Sequence, residues 1–586
     1  MRRQRCASPL DSSAAIRVLL IFVFLAMPIA WALATQREMA QREAAAHPER
    51  GWPRGAGHVV YAWPGTAEDQ KSYVEPGGSF SPVPGSFGLS IEDGDRIPIP
   101  QIKQRFAWVS GESMPVLVTE TPNYRANLLC DRPGHWTILI TGATTRPVSV
   151  AVRSVGPAGG PIFSLQNVKG RLLISDRWVV RLDPSPVSVR ISEEGPHAEG
   201  WYRADIQLAK KTTVEINDLK FGKVPALPFA TTRAIAKLSN VDPQSRECLD
   251  DQVAHLMMSL VADQTRPGEP LNYPLAWLRD GAYVVVALAR AGQVDTAKQL
   301  ALYFADHDFF GGFGAEADAP GLSLWAIGET AALAHSVKFD ERVWGAVQRK
   351  AELIHQMHHA SMPIRHPFDG PIVPAHRTRT DLDLVCDAAQ NGLIIGRMDW
   401  QRPVLSVNAV SFLGLNEAAR IAERRGRGDL AMRWRQEAVE IRTAWQRALA
   451  TKEALNDRTY ISALWPTHVG DQDKAKLRAL FEARWASQRT PDGGFKNLPK
   501  WTYFDIAEAH NWLELGDRPR TEQTMHWFWN HQASPGLYTW WEGSGEENSF
   551  HRWNDVRGWL HSAHVTPHYW TAAEMLLLQL DLAGAR

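Results

Sequence analysis

At 586 residues the chain is too long for one ordinary domain, and two or three are expected. Its 44% apolar and 22% charged composition supports a large core and excludes global disorder. Lys+Arg and Asp+Glu both number 64, and a formal charge of zero argues against a polyanion binder, so no nucleic-acid partner is expected.

The chain opens on MRRQR, followed by nearly unbroken apolar sequence from Val18 to Ala34 that ends in Ala32-Leu33-Ala34, an A-x-A cleavage signature. Residues 1–34 therefore read as a signal peptide. The run approaches the ~20 residues that span a bilayer, so an uncleaved anchor, with membrane attachment through residues 15–34, is the alternative. Pro28 and the small residues near Ala34 favour cleavage. Both readings place the bulk of the protein outside the cytoplasm: periplasmic, secreted or membrane-anchored. Residues 35–56 are charged and Ala-rich and read as a linker. Cys6 precedes the apolar run, and the widely spaced Cys130, Cys248 and Cys386 form no disulfide framework or zinc pattern.

Residues 57–230 have β character. WTILITG, VSVAVRSV, RLLISDRWVVRL, VSVRIS and TTVEIND alternate apolar and polar residues between Gly, Pro and Asp punctuation, which predicts an antiparallel β-sandwich. No catalytic constellation is visible in it, and its expected role is to pack against the C-terminal half of the chain. From residue 240 to 586 apolar residues recur at helical spacing, predicting about ten to twelve helices. The connections must be long, and long loops on a helical frame are where binding groups sit. Without a tight repeat, hairpins closing into a ring fit better than an open superhelix.

Tryptophan is the compositional outlier, with 24 residues against 11 tyrosines, most of them after position 270. Most are read as core filler. A few stand beside acids, where indole rings can stack on the C–H faces of a pyranose and carboxylates can bind its hydroxyls. Cleaving a glycosidic bond takes one carboxyl group to give a proton and another to take one. In YPLAWLRDG, Trp277, Arg279 and Asp280 lead into a predicted helix, as a sugar clamp or, for Asp280, as a favourable helix start. Next comes GGFGAEADAPGLSLWAIGE with Glu316 and Asp318, where Asp318 edges a pocket or caps the helix that Pro320 opens. In GRMDWQRPVLSVNAV, Asp399 lies between Met398 and Trp400 in a loop before a helix. Desolvation there would raise its pKa and keep it protonated as a general acid, the bland reading being a solvent-facing loop acid. In PGLYTWWEGSGEENSF, Glu542 follows Trp540 and Trp541 as a candidate base, with Glu546 and Glu547 as competitors. His568, Tyr569 and Trp570 are candidate lining groups. Two histidine groups, His355/His358/His359 and His561/His564/His568, lack the HExxH form, and a surface or core role is preferred to zinc. No metal and no organic cofactor is expected.

In this order the segments resemble the six-hairpin (α/α)₆ glycosidases, both glucoamylase-like enzymes and the processing-glucosidase family (glycoside hydrolase family 63). YPLAWLRDG resembles the W-x-R-D segment of glucoamylases, which implies that Trp277, Arg279 and Asp280 hold the terminal sugar. ADAPGLSLWAI resembles their R-D-G-P-A-L-R-A segment, with Ala317 in place of Arg and Ala319 in place of Gly. GRMDWQRP is similar to the S-G-M-D-N or S-G-W-D-D segment of the processing glucosidases, which implies Asp399 as general acid. An acid followed about twenty-five residues later by a P-x-x-W-T-A-A-like helix is similar in both groups and implies Glu542 as base. The resemblance covers residues 240–586. It implies an N-terminal antiparallel β-sandwich followed by an (α/α)₆ toroid, with Asp318, Trp400, Trp540, Trp541 and Trp570 in the substrate site. The expected activity is inverting hydrolysis of a terminal, α-linked sugar from an oligo- or polysaccharide, with carboxyl groups ~6.5–9.5 Å apart. The alternatives are a glycoside phosphorylase, a polysaccharide lyase, and a non-catalytic carbohydrate-binding envelope protein on the same ring.

Overall fold

The computed structural model describes residues 58–91, 97, 99–109, 114–142, 148–153, 161–193, 202–222, 238, 241–270, 273, 275–309, 314–367, 382–399, 401–451, 455–497, 501–543 and 565–584. The segments read as signal peptide or anchor and as linker lie outside them, as do Trp400, Glu546, Glu547, His561 and His564.

Alternating residues build two antiparallel sheets. In spatial order one runs Val59–Tyr61, Ser72–Val74, Phe80–Ser81, Gly88–Ile91, Ser149–Arg153, Tyr202–Gln207, Ser188–Glu193. The other runs Leu165–Val168, Arg171–Ile174, Trp178–Asp183, Lys211–Asp218, His135–Gly142, Tyr124–Arg132, Val116–Glu120, Lys103–Ala107. Along Lys211–Asp218 every second residue, Thr212, Val214 and Ile216, is buried, the period of a half-buried strand. Phe80 of the first sheet and Phe87, just before its strand Gly88–Ile91, meet Trp136 and Trp178 of the second edge-on at 6.1 and 5.7 Å, closing the sandwich. The run RLLISDRWVVRL divides into a hairpin. Ser175 and Asp176 both take positive φ, and Arg177 N–H donates to Ile174 O, as a tight turn between twisted strands requires.

Eleven α-helices follow among the described residues: α1 (Pro243–Ser259), α2 (Leu278–Arg290), α3 (Val294–Asp306), α4 (Ala319–Ala334), α5 (Val337–His358), α6 (Val404–Arg424), α7 (Gly428–Leu449), α8 (Lys474–Gln488), α9 (Thr502–Glu514), α10 (Arg518–Asn530) and α11 (Tyr569–Leu582). They alternate between two rings. α2, α4, α6, a 3₁₀ turn at Asp457–Ile461, α9 and α11 each touch the next, and α11 returns to α2, so the inner ring closes. α1, α3, α5, α7, α8 and α10 lie outside it. Burial follows this placement. In α2 every residue from Leu278 to Ala289 is buried, and in α11 every residue from Tyr569 to Asp581. The outer helix α5 buries one stripe, Phe339, Val343, Ala346, Val347, Lys350, Ala351 and Ile354, at the spacing of an amphipathic helix. No described helix is long and apolar enough to cross a membrane. Cys130, Cys248 and Cys386 are buried and unpaired.

The inner helices run parallel. Residues at their starts meet one another, Arg279 of α2 with Asp318 at the cap of α4, and Thr502 of α9 with Thr571 of α11. Residues at their ends also meet, Arg290 of α2 with Glu329 of α4 and Asp581 of α11. One mouth of the ring thus collects helix N-termini, whose dipoles favour negative charge. The sandwich braces the chain leading to that mouth. Buried Lys71 donates to Met258 O and Leu260 O at 2.9 Å, Tyr73 bonds Glu269, and Gln104 N–H donates to Pro535 O. Beyond this, Glu269 N–H donates to Pro567 O and Tyr569 N–H to Pro267 O, tying the braced loop to the start of α11.

Candidate active site

Arg279, in the first turn of α2, is the hub of the mouth. Its Nη1 donates to Glu316 Oε2 at 2.8 Å and Asp318 Oδ2 at 3.1 Å, and its Nη2 to Asp399 Oδ1 at 2.7 Å. Its Nε lies 3.9 Å from Asp280 Oδ2. Arg458, from the 3₁₀ turn, donates to the other oxygen, Asp399 Oδ2, at 2.7 Å and to Gln401 at 2.6 Å. Asp399 itself sits at φ 51°, a left-handed conformation costing of order 1 kcal/mol. Glu316 Oε1 fixes it by accepting the Asp399 N–H at 2.9 Å. Buried Arg397 underlies the loop, donating to the carbonyls of Ala315, Leu382 and Leu384. Gly314, at φ 118°, leaves room for it, since a Cβ there would lie 2.2 Å from Arg397 Nη2.

These contacts separate the carboxyl groups. Burial alone would push Asp399 up, but the guanidiniums of Arg279 and Arg458 prevail and hold it below the usual carboxylate range. The expectation that desolvation raises Asp399 meets the opposite direction: its burial is real, but the two guanidiniums outweigh it. The raised groups are its neighbours. Burial lifts Asp280 to about 7 and Glu316 to about 8 against the pull of Arg279, and lifts Asp318 in the same direction.

Across the mouth, Tyr273 donates its hydroxyl to both oxygens of Glu542 at 2.7 Å. The backbone of Glu542 is pinned on both sides, its N–H donating to Val565 O at 3.0 Å and its carbonyl accepting from Thr502 N at 2.9 Å. His568 Nε2 lies 4.0 Å from Glu542 Oε1. Burial lowers His568 to about 3, so it is neutral near pH 7. Tyr503 joins the two halves: its ring stacks on Trp570 at 4.3 Å and on His568 at 4.9 Å. Burial pushes its hydroxyl well above the ordinary tyrosine range, and the charges of Glu542, Asp280 and Asp399 add to it.

The structure sorts the remaining sequence candidates. Trp277 is buried and meets Tyr273 edge-on at 5.1 Å, and Trp570 backs Tyr503. Trp540 belongs to the core instead of a pocket wall: it packs with Ile506, Phe528 and Met575 and donates its indole N–H to Phe528 O. Trp541 is likewise buried, against Ala533 and Trp527. Asp318 is 0% exposed beneath Arg279, so it supports the clamp and does not face a ligand. It makes no side-chain cap to α4 either. Sequence reasoning passed over Tyr273, Arg458 and Tyr503. Tyr273 opens the YPLAWLRDG segment, but Arg458 and Tyr503 sit in stretches with no motif. A cavity of about 370 Å³ lies away from this mouth, between the strand Lys103–Ala107 and Trp529 and Tyr538.

No protein-family model matches the chain, and no curated protein matches it. Among solved structures it is similar to a bacterial glucoamylase complexed with acarbose, at 12% identity and TM-score 0.51, over 90% of this chain and 95% of that one. A rhamnosidase from Klebsiella oxytoca with rhamnose bound aligns at 11% identity and TM-score 0.45 over 90% of this chain and 96% of its own. A GH63 mannosylglycerate hydrolase from Thermus thermophilus in complex with Tris aligns at 11% identity and TM-score 0.36, over 57% of this chain and 99% of its own.

Proposed function

We propose that this chain, which has a glucoamylase-like six-hairpin glycosidase fold, is an exported glycoside hydrolase acting on the terminal, α-linked sugar of an oligo- or polysaccharide with inversion. The observation that carries the reading is that Glu542, Asp280 and Asp399 all act electrostatically on Tyr503, whose ring stacks on His568 and Trp570 at the N-terminal mouth of the inner ring. Glu542, gripped by Tyr273 and pinned at its backbone, suits a base that must hold a water. The proton comes from a carboxyl group on the Arg279 side. The motif resemblance implies Asp399, and for that residue to carry a proton Arg458 must move off it and onto the substrate. A second reading makes Asp280 the donor, because its pKa of about 7 is that of a group protonated near neutrality, while Asp399 stays ionised and binds sugar hydroxyls. A lyase is disfavoured. Its tyrosine base would need a lowered pKa, and burial and nearby carboxylates push Tyr273 and Tyr503 well above the ordinary range. The apolar run from Val18 to Ala34 supports export.

The test is turnover of α-linked oligosaccharides, and of aryl glycosides whose leaving groups need no protonation, by wild type, Glu542→Gln, Asp399→Asn and Asp280→Asn. Loss of a general acid or base costs ~10²–10⁴-fold. Glu542→Gln should lose this on both substrates, and the variant lacking the acid should lose it only on the natural one. Full activity in all three variants, or glycan binding without turnover by wild type, would sink the proposal.

A further inference from the structure

The outer face of the ring carries a second constellation, far in sequence from the mouth. α5 ends in HQMHH, and His359 at its cap donates its N–H to His355 O at 3.0 Å, which keeps the two rings one turn apart on the same face. Their centroids are 4.5 Å apart. Opposite them α7 presents Glu437, 5% exposed and set between the buried Trp434, Ala438 and Ile441. His355 Nδ1 lies 2.9 Å, and His359 Nε2 3.5 Å, from Glu437 Oε1. One ligand atom from each of the three residues lies within 4.8 Å of the others. His358 adds a support: its Nδ1 is 3.1 Å from the same carboxylate oxygen and its Nε2 is 3.2 Å from Gly392 O.

The geometry points to a binding site for a zinc-class divalent cation held by His355, His359 and Glu437. Two imidazoles and a carboxylate are the ligand set such ions take, at ~2.0–2.2 Å from each donor. Closing the present separations takes a rotamer adjustment in His359, whose side chain is 53% exposed. That exposure also leaves the fourth position to water and gives the ion an entry path. His358 is not a ligand. Its Nδ1 faces the carboxylate, and a proton there is donated to Glu437 Oε1, the outer-shell role that fixes a metal-binding carboxylate. A dication at this place would balance the charge of the buried Glu437 carboxylate. The ion would staple α5 to α7 on the outside of the ring, with no part in the chemistry at the mouth.

The full chain, purified without a polyhistidine tag and stripped with chelator, is titrated with zinc chloride by calorimetry, with thermal unfolding in parallel. Cobalt(II) absorption reports the coordination geometry. Wild type should bind one ion per chain and unfold at higher temperature when loaded. His359→Ala, at an exposed position, should keep the unfolding temperature of the stripped protein while losing the site, and His355→Ala should lose it too. His358→Ala should weaken binding ~10–100-fold. Absence of stoichiometric zinc binding by wild type, or undiminished binding by His359→Ala, would overturn the assignment and leave the cluster as a hydrogen-bonded brace.

Discussion

Arg458 shows how much one unheralded residue decides. Its guanidinium supplies half of the pairing on Asp399 and lies 5.6 Å from the Phe504 ring centroid, held between a carboxylate and an aromatic face. An opposite charge at this range shifts a carboxyl by ~1–3 pKa units. Arg458→Ala should therefore raise Asp399, though Arg279 remains to hold it down. The limb of the pH–rate profile that reports Asp399 should move to higher pH, with Arg458→Lys partly restoring it. An unmoved profile would mean that Asp399 does not titrate in the reaction. The Asp280 reading has its own signature. A donor with a pKa of about 7 must be protonated to act, so kcat/KM should fall as pH rises through about 7, and Asp280→Asn should abolish that limb together with turnover of unactivated substrates.

At the scale of elements, the site depends on how closely α4 and α6 cross. Gly321 and Gly414 face each other: a Cβ on Gly414 would lie 2.6 Å from Gly321 Cα, and one on Gly321 would lie 2.4 Å from Val410 O. Alanine is the better helix former by ~1 kcal/mol. Here the overpacking penalty of ~1–3 kcal/mol, incurred against rigid backbone, outweighs it. Gly414→Ala should lower the unfolding temperature measured by calorimetry. It should also lower activity, because the start of α4 carries Asp318 and the preceding loop Glu316, both bonded to Arg279. An equally stable and active variant would mean the helices part at no cost.

The whole ring is closed a second time at the end away from the mouth. His510 of α9 is fully buried between Glu574 and Asp581 of α11, at 2.8 and 2.9 Å, and its ring stacks on Trp465 at 4.0 Å. Arg290 of α2 continues the network to Asp581 and Glu329. Burial disfavours the His510 cation, but the two carboxylates overcome it and raise its pKa above the ordinary value. A raised folded pKa gives stability that is complete below about pH 6.5 and is lost as pH rises through the folded value. Removing the cation takes the charge partner from buried Glu574, a loss of ~3–5 kcal/mol, while Asp581 keeps Arg290. His510→Gln should accordingly unfold at lower temperature than wild type in mildly acidic buffer, and the gap should narrow in alkaline buffer. A gap that is constant with pH would show that His510 is neutral in the folded protein.

Periodicity in the sequence was enough to determine the two classes of element, the order of the segments and the conversion from β to helix, because period 2 and period 3.6 are local properties of the chain. Arg279, Asp280, Asp399 and Glu542 were also legible, since each stands in a short acidic-aromatic segment outside a helix interior. Only the tertiary structure decided their states. Asp399 reads locally as an acid between Met398 and Trp400, yet two arginines 120 residues before it and 59 after it determine its charge. Trp540 and Trp541 read as sugar platforms but are core, because an indole beside a carboxylate looks the same in sequence whichever way the chain turns it. HQMHH, weak as a motif, meets Glu437 only when α5 and α7 are folded side by side. A residue's identity is written in the chain, but its protonation and its partners depend on desolvation and charge supplied from elsewhere, which only ring closure brings into range.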